Sequence, residues 1–142
     1  MAAKGTTFDN DWLKLIFNAT AIANIADDAS SSPFTILYVS LHTASPAGTS
    51  QTTNEAAYTS YARVAVARTT GGWTVTSNSV SPVATISFPA CTGGTETETH
   101  FGVGTAISGA GKLLYYGTVT PNIAVSNGVT PQLTTASTVT EA

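Results

Sequence analysis

The sequence predicts an all-β fold: a single β-sandwich or jelly-roll-like domain of seven or eight short antiparallel strands, preceded by one α-helix. Three observations predict it. From Phe34 onward, apolar and hydroxyl-bearing residues alternate with the period of a strand. Turn-forming residues recur every eight to twelve positions, the spacing of sandwiches and small barrels. Thr (26) and Ser (14) fill 40 of the 142 positions while only 9% of residues are charged, so short hydroxyls supply the surface polarity.

The helix is the exception at the front of the chain. Phe8, Trp12, Leu15, Ile16 and Ala19 recur at helical spacing, with Leu13 and Phe17 flanking that stripe. Thr7 or Asp9 can cap its start, and Asp9 and Asp11 suit the positive end of the helix dipole. The expected span is about residues 9–25, ended by Asp27-Asp28 and the Ser30–Pro33 run, with residues 1–7 as an arm and 8–142 as the domain.

Phe34–Thr43 then reads as a central strand, with Leu37, Val39 and Leu41 on one face and Ile36, Tyr38, Ser40 and His42 on the other. Ala44–Thr59 reads as a loop. Tyr61–Thr69 is the next strand, with Arg63 sharing a face with Tyr61, Ala65 and Ala67, and Arg68 opposite. Gly71-Gly72 turns the chain so that Trp73–Thr76 returns as a hairpin. Val83–Phe88, Glu96–Ile107 and Leu113–Thr120 follow as strands, with Ser108–Gly111 as a turn. Ile123–Val125 and Val129–Val139 read as a last hairpin around Asn127-Gly128, because a two-residue turn needs positive φ at both centres.

Composition excludes several function classes. The formal net charge of −3 leaves no basic excess for nucleic acid. No apolar run reaches the roughly 18 residues of a membrane span, and no export leader is visible. Cys91 alone makes neither an intrachain disulfide nor a cysteine zinc site.

No catalytic or cofactor motif stands up, and neither a metal nor a cofactor is expected. Cys91 with His42 or His100 lacks the third partner and oxyanion donors of a nucleophilic site, and a free cysteine is usually a small buried hydrophobe. His42 and His100 show no metal-ligand spacing. Gly109-Ala110-Gly111-Lys112 has Ala106 where a phosphate-binding loop needs its first Gly and Leu113 where it needs a hydroxyl, so it reads as a hairpin turn. Glu96 and Glu98 share one strand face instead of facing each other across a cleft, so they read as a solvated, aggregation-resistant edge.

The positive feature is the surplus of apolar residues on the helix. One stripe suffices to cover a sandwich, so Phe8, Trp12, Ile16 and Phe17 are candidate interface residues, with the loop Ala44–Thr59 as another surface. Arg63 and Arg68 are candidate ion-pair partners, for Glu55 or for an acid on a neighbouring protein.

The stretches NDWLKLIFNATAIANIADDASSSP, LYVSLHTASPAG, QTTNEAAYTSYARVAVART, GGWTVTSNSVSPVATISFPA and HFGVGTAISGAGKLLYYGTVTPNIAVSNGVTP carry a resemblance over nearly the whole chain. The sequence resembles a family of small proteins of tailed bacteriophages and prophages, often labelled tail fibre proteins. It is also similar in size and class to capsid decoration (cement) proteins, β-sandwich trimers that bridge major capsid proteins. The resemblance implies a non-enzymatic virion structural protein that forms a homo-oligomer, a trimer by that likeness. The chain has no heptads, no long repeat and no collagen-like shaft, so capsid decoration ranks first, on the capsid exterior with the phage major capsid protein as partner. A tail-associated host-recognition module ranks second, and a tail-borne glycan hydrolase third.

Overall fold

A computed structural model describes residues 6–22, 33–47 and 50–141. Among the described residues one helix, α1 (Thr6–Asn18), precedes nine strands: β1 (Ile36–His42), β2 (Val64–Ala67), β3 (Trp73–Thr76), β4 (Ser79–Pro82), β5 (Ile86–Ser87), β6 (Glu96–Gly104), β7 (Leu113–Val125), β8 (Gln132–Leu133) and β9 (Val139–Thr140). They form a four-stranded sheet in the order β2-β1-β6-β7, a three-stranded sheet β3-β4-β9 and a pair β5-β8. The all-β class with one helix is therefore as the alternation and turn spacing indicate. The chain divides into two compact units, neither continuous in sequence. A helix unit comprises Met1–Ile36, Ala67–Thr85 and Thr134–Ala142, and a sheet unit comprises Leu37–Val66 and Ile86–Leu133.

In the helix unit, α1 begins and ends earlier than its periodicity suggests. Thr6 and Thr7 are already helical, which shortens the expected arm to residues outside those described. At the other end Ala19 takes a positive φ of 54°, and the Thr20 N–H turns back to the Lys14 carbonyl at 3.1 Å. The Leu15 and Ile16 carbonyls, which a helix end leaves without internal partners, accept from the Arg68 guanidinium, Ile16 at 2.7 Å. The helix therefore stops where a side chain 52 positions beyond Ile16 can cap it, and no local glycine marks the place.

The buried face of α1 also differs from the expected stripe. Asp9, Leu13 and Phe17, spaced four apart, point inward, whereas Trp12, Leu15 and Ile16 are half-buried. The helix packs on β3 and β4. Phe17 meets Trp73 edge to face, with ring centroids 4.8 Å apart. Full burial of side chains such as Leu13 and Phe17 contributes about 2–3 kcal/mol each. The hairpin expected at Gly71-Gly72 does not form: Trp73–Thr76 pairs forward with β4 and not back with β2. The two-residue turn is Ser77-Asn78, with Ser77 at φ 53°. Asn78 also fastens β9: its Nδ2 donates to the Glu141 carbonyl and its carbonyl accepts from the Glu141 N–H, both at 2.8 Å.

In the sheet unit, β1 and β6 are the inner strands. Leu37, Val39 and Leu41 form one buried face of β1, and Ser40 and His42 are buried on the other, which is why the strand reads as apolar on one side and mixed on the other. The β6–β7 register runs from Gly104↔Leu113 to His100↔Thr118 and resumes at Glu98↔Ile123. Residues 119–122 bulge out between, so the two strands expected on either side of Pro121 are one interrupted strand. Pro121, with no N–H, sits on the sheet's edge, where no ladder bond is asked of it. The expected Asn127-Gly128 hairpin does not form. Only Gly128 takes positive φ, the Val129 N–H bonds to the Ser126 carbonyl at 2.9 Å as in a type II turn, and β8 goes on to pair with β5. The expected Val83–Phe88 strand shortens to β5 accordingly.

Candidate functional site

The sheet unit concentrates buried polar side chains around one exposed loop. Ser40 and His42 face Gly102 and His100 across the β1–β6 ladder. His42 is fully buried and fully paired: Nδ1–H donates to the Thr53 carbonyl at 2.9 Å and Nε2 accepts from the Ser40 hydroxyl at 2.8 Å. Burial pushes its pKa down, aided by the nearby Arg63 and His100 and opposed by the Thr53 bond and Glu55, so the ring is neutral, and the Thr53 carbonyl fixes its proton on Nδ1. Gly102 leaves the room. A Cβ there would lie 2.7 Å from Ser40 Oγ and 2.8 Å from His42 Nε2. Gly104, the next residue on that face, makes the same space for the Gln51 side chain, which is wholly buried.

Gln51 and Arg63 hold the connection between β6 and β7, residues 105–112. Gln51 Oε1 accepts from the Ala106 N–H at 2.9 Å, and its main-chain N–H donates to the Ala110 carbonyl at 2.7 Å. Arg63 grips Glu55 with two bonds, Nε to Oε1 at 2.6 Å and Nη2 to Oε2 at 2.7 Å. Its remaining donors reach the Ala106 and Gly109 carbonyls, each at 2.8 Å. Glu55 Oε1 also accepts from the Tyr61 hydroxyl at 3.0 Å, which in turn accepts from the Leu41 N–H at 3.1 Å. Burial and the neighbouring Glu55 carboxylate drive the Tyr61 phenol far above its ordinary pKa, so it stays a donor. Thr105 and Lys112 close the loop on each other, and Gly109 and Gly111 carry its positive-φ corners. The tip presents Ile107, 66% exposed and the most exposed large apolar residue described.

A second polar group lies at the start of β6. Glu96 Oε1 accepts from the Ala57 and Tyr58 N–H groups, both at 2.9 Å. Glu98, on the same strand face, is wholly buried. β6 is an inner strand, so the expected solvated edge is corrected: Glu98 sits in the interior. A pair with one carboxyl fully enclosed does not flank a substrate bond as hydrolysis of a glycoside requires. Cys91 is buried nearby, its thiol toward the Gly93 carbonyl at 3.2 Å.

The sequence-derived candidates divide between the units. Trp12 and Ile16 lie four apart on one half-exposed helix face. Phe8 is in the first turn of α1, and its side chain lies outside the described residues. Phe17 is wholly buried against Trp73. Arg68 caps the helix and also donates to the Phe34 carbonyl at 3.1 Å. Arg63 does pair with Glu55, in the sheet unit. His42 and His100 are direct cross-strand neighbours, yet no group of three or more metal-capable side chains occurs among the described residues. Sequence reasoning missed Gln51, Tyr61 and Ile107. The one signal available was the pair of close-approach glycines at positions 102 and 104, alternating along a strand.

No helix among the described residues is long and apolar enough to cross a membrane. A family model described as podophage GP4 fiber I protein gp80 matches residues 4–141. No curated protein matches the chain.

Proposed function

The chain belongs to the family of podophage GP4 fiber I proteins, a tail-associated class of phage structural protein, and we propose that it acts there as a non-enzymatic contact module for the host surface. One observation carries this reading. Ala106, Gly109 and Ala110, in an exposed loop of small residues, are held by a buried arginine–glutamate pair and a buried glutamine, while the loop tip offers Ile107 to solvent. A loop fixed in advance loses little conformational entropy on binding, so even a small apolar contact contributes to attachment. Repetition of the module in a fibre multiplies that contribution.

Between the two virion roles read from the sequence, the fibre family supports the tail-associated one. Capsid decoration, with the major capsid protein as partner, has no support from the match. Self-association remains part of the reading, with Trp12 and Ile16 of α1 as its surface.

Purified particles separated into heads and tails test the placement. The chain is expected with the tail fraction, in the few to few-dozen copies of a fibre component. Hundreds of copies with heads would overturn it and restore decoration.

A further inference from the structure

The start of β6 holds a carboxyl pair that neither the fibre role nor the loop uses. Glu98 is wholly buried, and no backbone or side-chain donor among the described residues reaches either of its oxygens. A carboxylate left so would lose most of its hydration with nothing in return, a penalty of several kcal/mol. Its neighbour on the same strand face, Glu96, is anchored through Oε1 to the Ala57 and Tyr58 N–H groups. The facing groups offer no relief. Opposite on β7 stand Ile123 and Val125, and from the adjoining loops come the Tyr58 phenol, which burial and the Glu98 carboxyl push above its ordinary pKa, and beside it the Cys91 thiol. The Tyr58 hydroxyl is already committed to the Pro89 carbonyl at 2.9 Å, and the Cys91 thiol points to Gly93. Among the described residues no cation acts on Glu98; Glu96 does. A hydrogen bond between two carboxyl groups requires that one of them carry a proton.

We propose that Glu96 and Glu98 share one proton at neutral pH, a carboxyl–carboxylate clasp that fastens the start of β6 to the backbone at Ala57–Tyr58, and that losing this proton in mild alkali loosens that end of the sheet.

Burial, then the hydrogen bond and charge of Glu96, raise the Glu98 pKa to about 8. The folded chain thus holds a proton that the unfolded chain releases near the ordinary carboxyl value. The clasp's stabilisation is whole below that value and declines as pH rises through the window up to about 8. One proton alters the folding constant by at most about tenfold per pH unit.

The test uses the full chain, with denaturant midpoints followed from about pH 5 to about pH 9 for the wild type, Glu98→Gln and Glu96→Gln. The wild type is expected to lose stability relative to Glu98→Gln as pH rises, and the Ala57 and Tyr58 amides to exchange faster above the transition. Carboxyl carbon shifts of the wild-type glutamates give a second readout that stands even if a variant fails to fold: one buried glutamate is expected to be protonated at neutral pH. Parallel pH profiles for wild type and Glu98→Gln, or a Glu98 carboxyl that titrates at its ordinary value, would overturn the proposal. So would calcium raising the wild-type midpoint and a chelator lowering it, which would place a cation between the carboxylates instead.

Discussion

The helix unit and the sheet unit solve the same problem, fixing backbone with few charges, in opposite ways. In the helix unit the interior is mostly apolar, with Asp9 and Arg68 the buried polar residues among those described: Leu13 and Phe17 are wholly enclosed, Phe17 closes on Trp73, and Arg68 serves the helix end. In the sheet unit Ser40, His42, Gln51, Arg63 and Glu98 are themselves interior. An apolar contact holds surfaces together without specifying backbone position closely, whereas a buried arginine with four directed bonds does both. The difference teaches where position matters. The helix has to be covered; the loop of residues 105–112 has to be held.

The largest effect that separates the units is expected from Arg63→Ala. It leaves Glu55 without its partner and strips two carbonyls of the loop of their donor, which should cost about 3–5 kcal/mol in denaturant unfolding and speed amide exchange across residues 105–112. An equal rise in exchange along α1 would erase the distinction between the units. Arg68→Ala is the counterpart in the helix unit. The last-turn carbonyls of α1 can turn to water, so a loss of about 1–3 kcal/mol is expected, with fraying confined to the end of α1. Loss of order in the loop of residues 105–112 in that variant would show that the units do not behave separately.

A smaller, pH-dependent effect should come from His42. Its folded pKa lies below its ordinary value, so the unfolded chain takes up a proton first as pH falls below about 6.5. The stability conferred by the neutral ring is present above that value and is lost in acid, by at most about 1.4 kcal/mol per pH unit. Glu98 acts with the opposite sign over the acid part of its window, so the His42 contribution is read as wild type minus His42→Gln. A difference that stays level from about pH 7 to about pH 5 would contradict the buried neutral ring.

The units also differ in how much of them was legible. The alternation in Ile36–His42 disclosed β1 and its two faces, and the gap at Pro121 marked the β7 bulge. The end of α1 was illegible because its cap, Arg68, comes from another part of the chain. The β3–β4 turn was missed because Ser77, and not a glycine, adopts positive φ. Glu98 read as a surface acid because a strand's alternation assigns a face but not which face is covered. Glu55 could be matched with Arg63 by charge, whereas a neutral glutamine such as Gln51 bears no mark of burial in sequence. The loop's importance became visible only when bonds from Gln51 and Arg63 were seen to converge on it.

The smallest expected effect on stability carries the most weight for function. Ile107→Asp alters a side chain at an exposed tip, so its unfolding midpoint should correspond to within about 0.5 kcal/mol of wild type. The decisive measurement is competition: purified wild-type protein and Ile107→Asp, each added to host cells before phage adsorption. Wild-type protein should slow adsorption and the folded variant should not. If the variant competes as well as wild type, or wild type does not compete at all, the loop is not the contact surface, and the buried Arg63–Glu55 pair and Gln51 that hold it need another explanation.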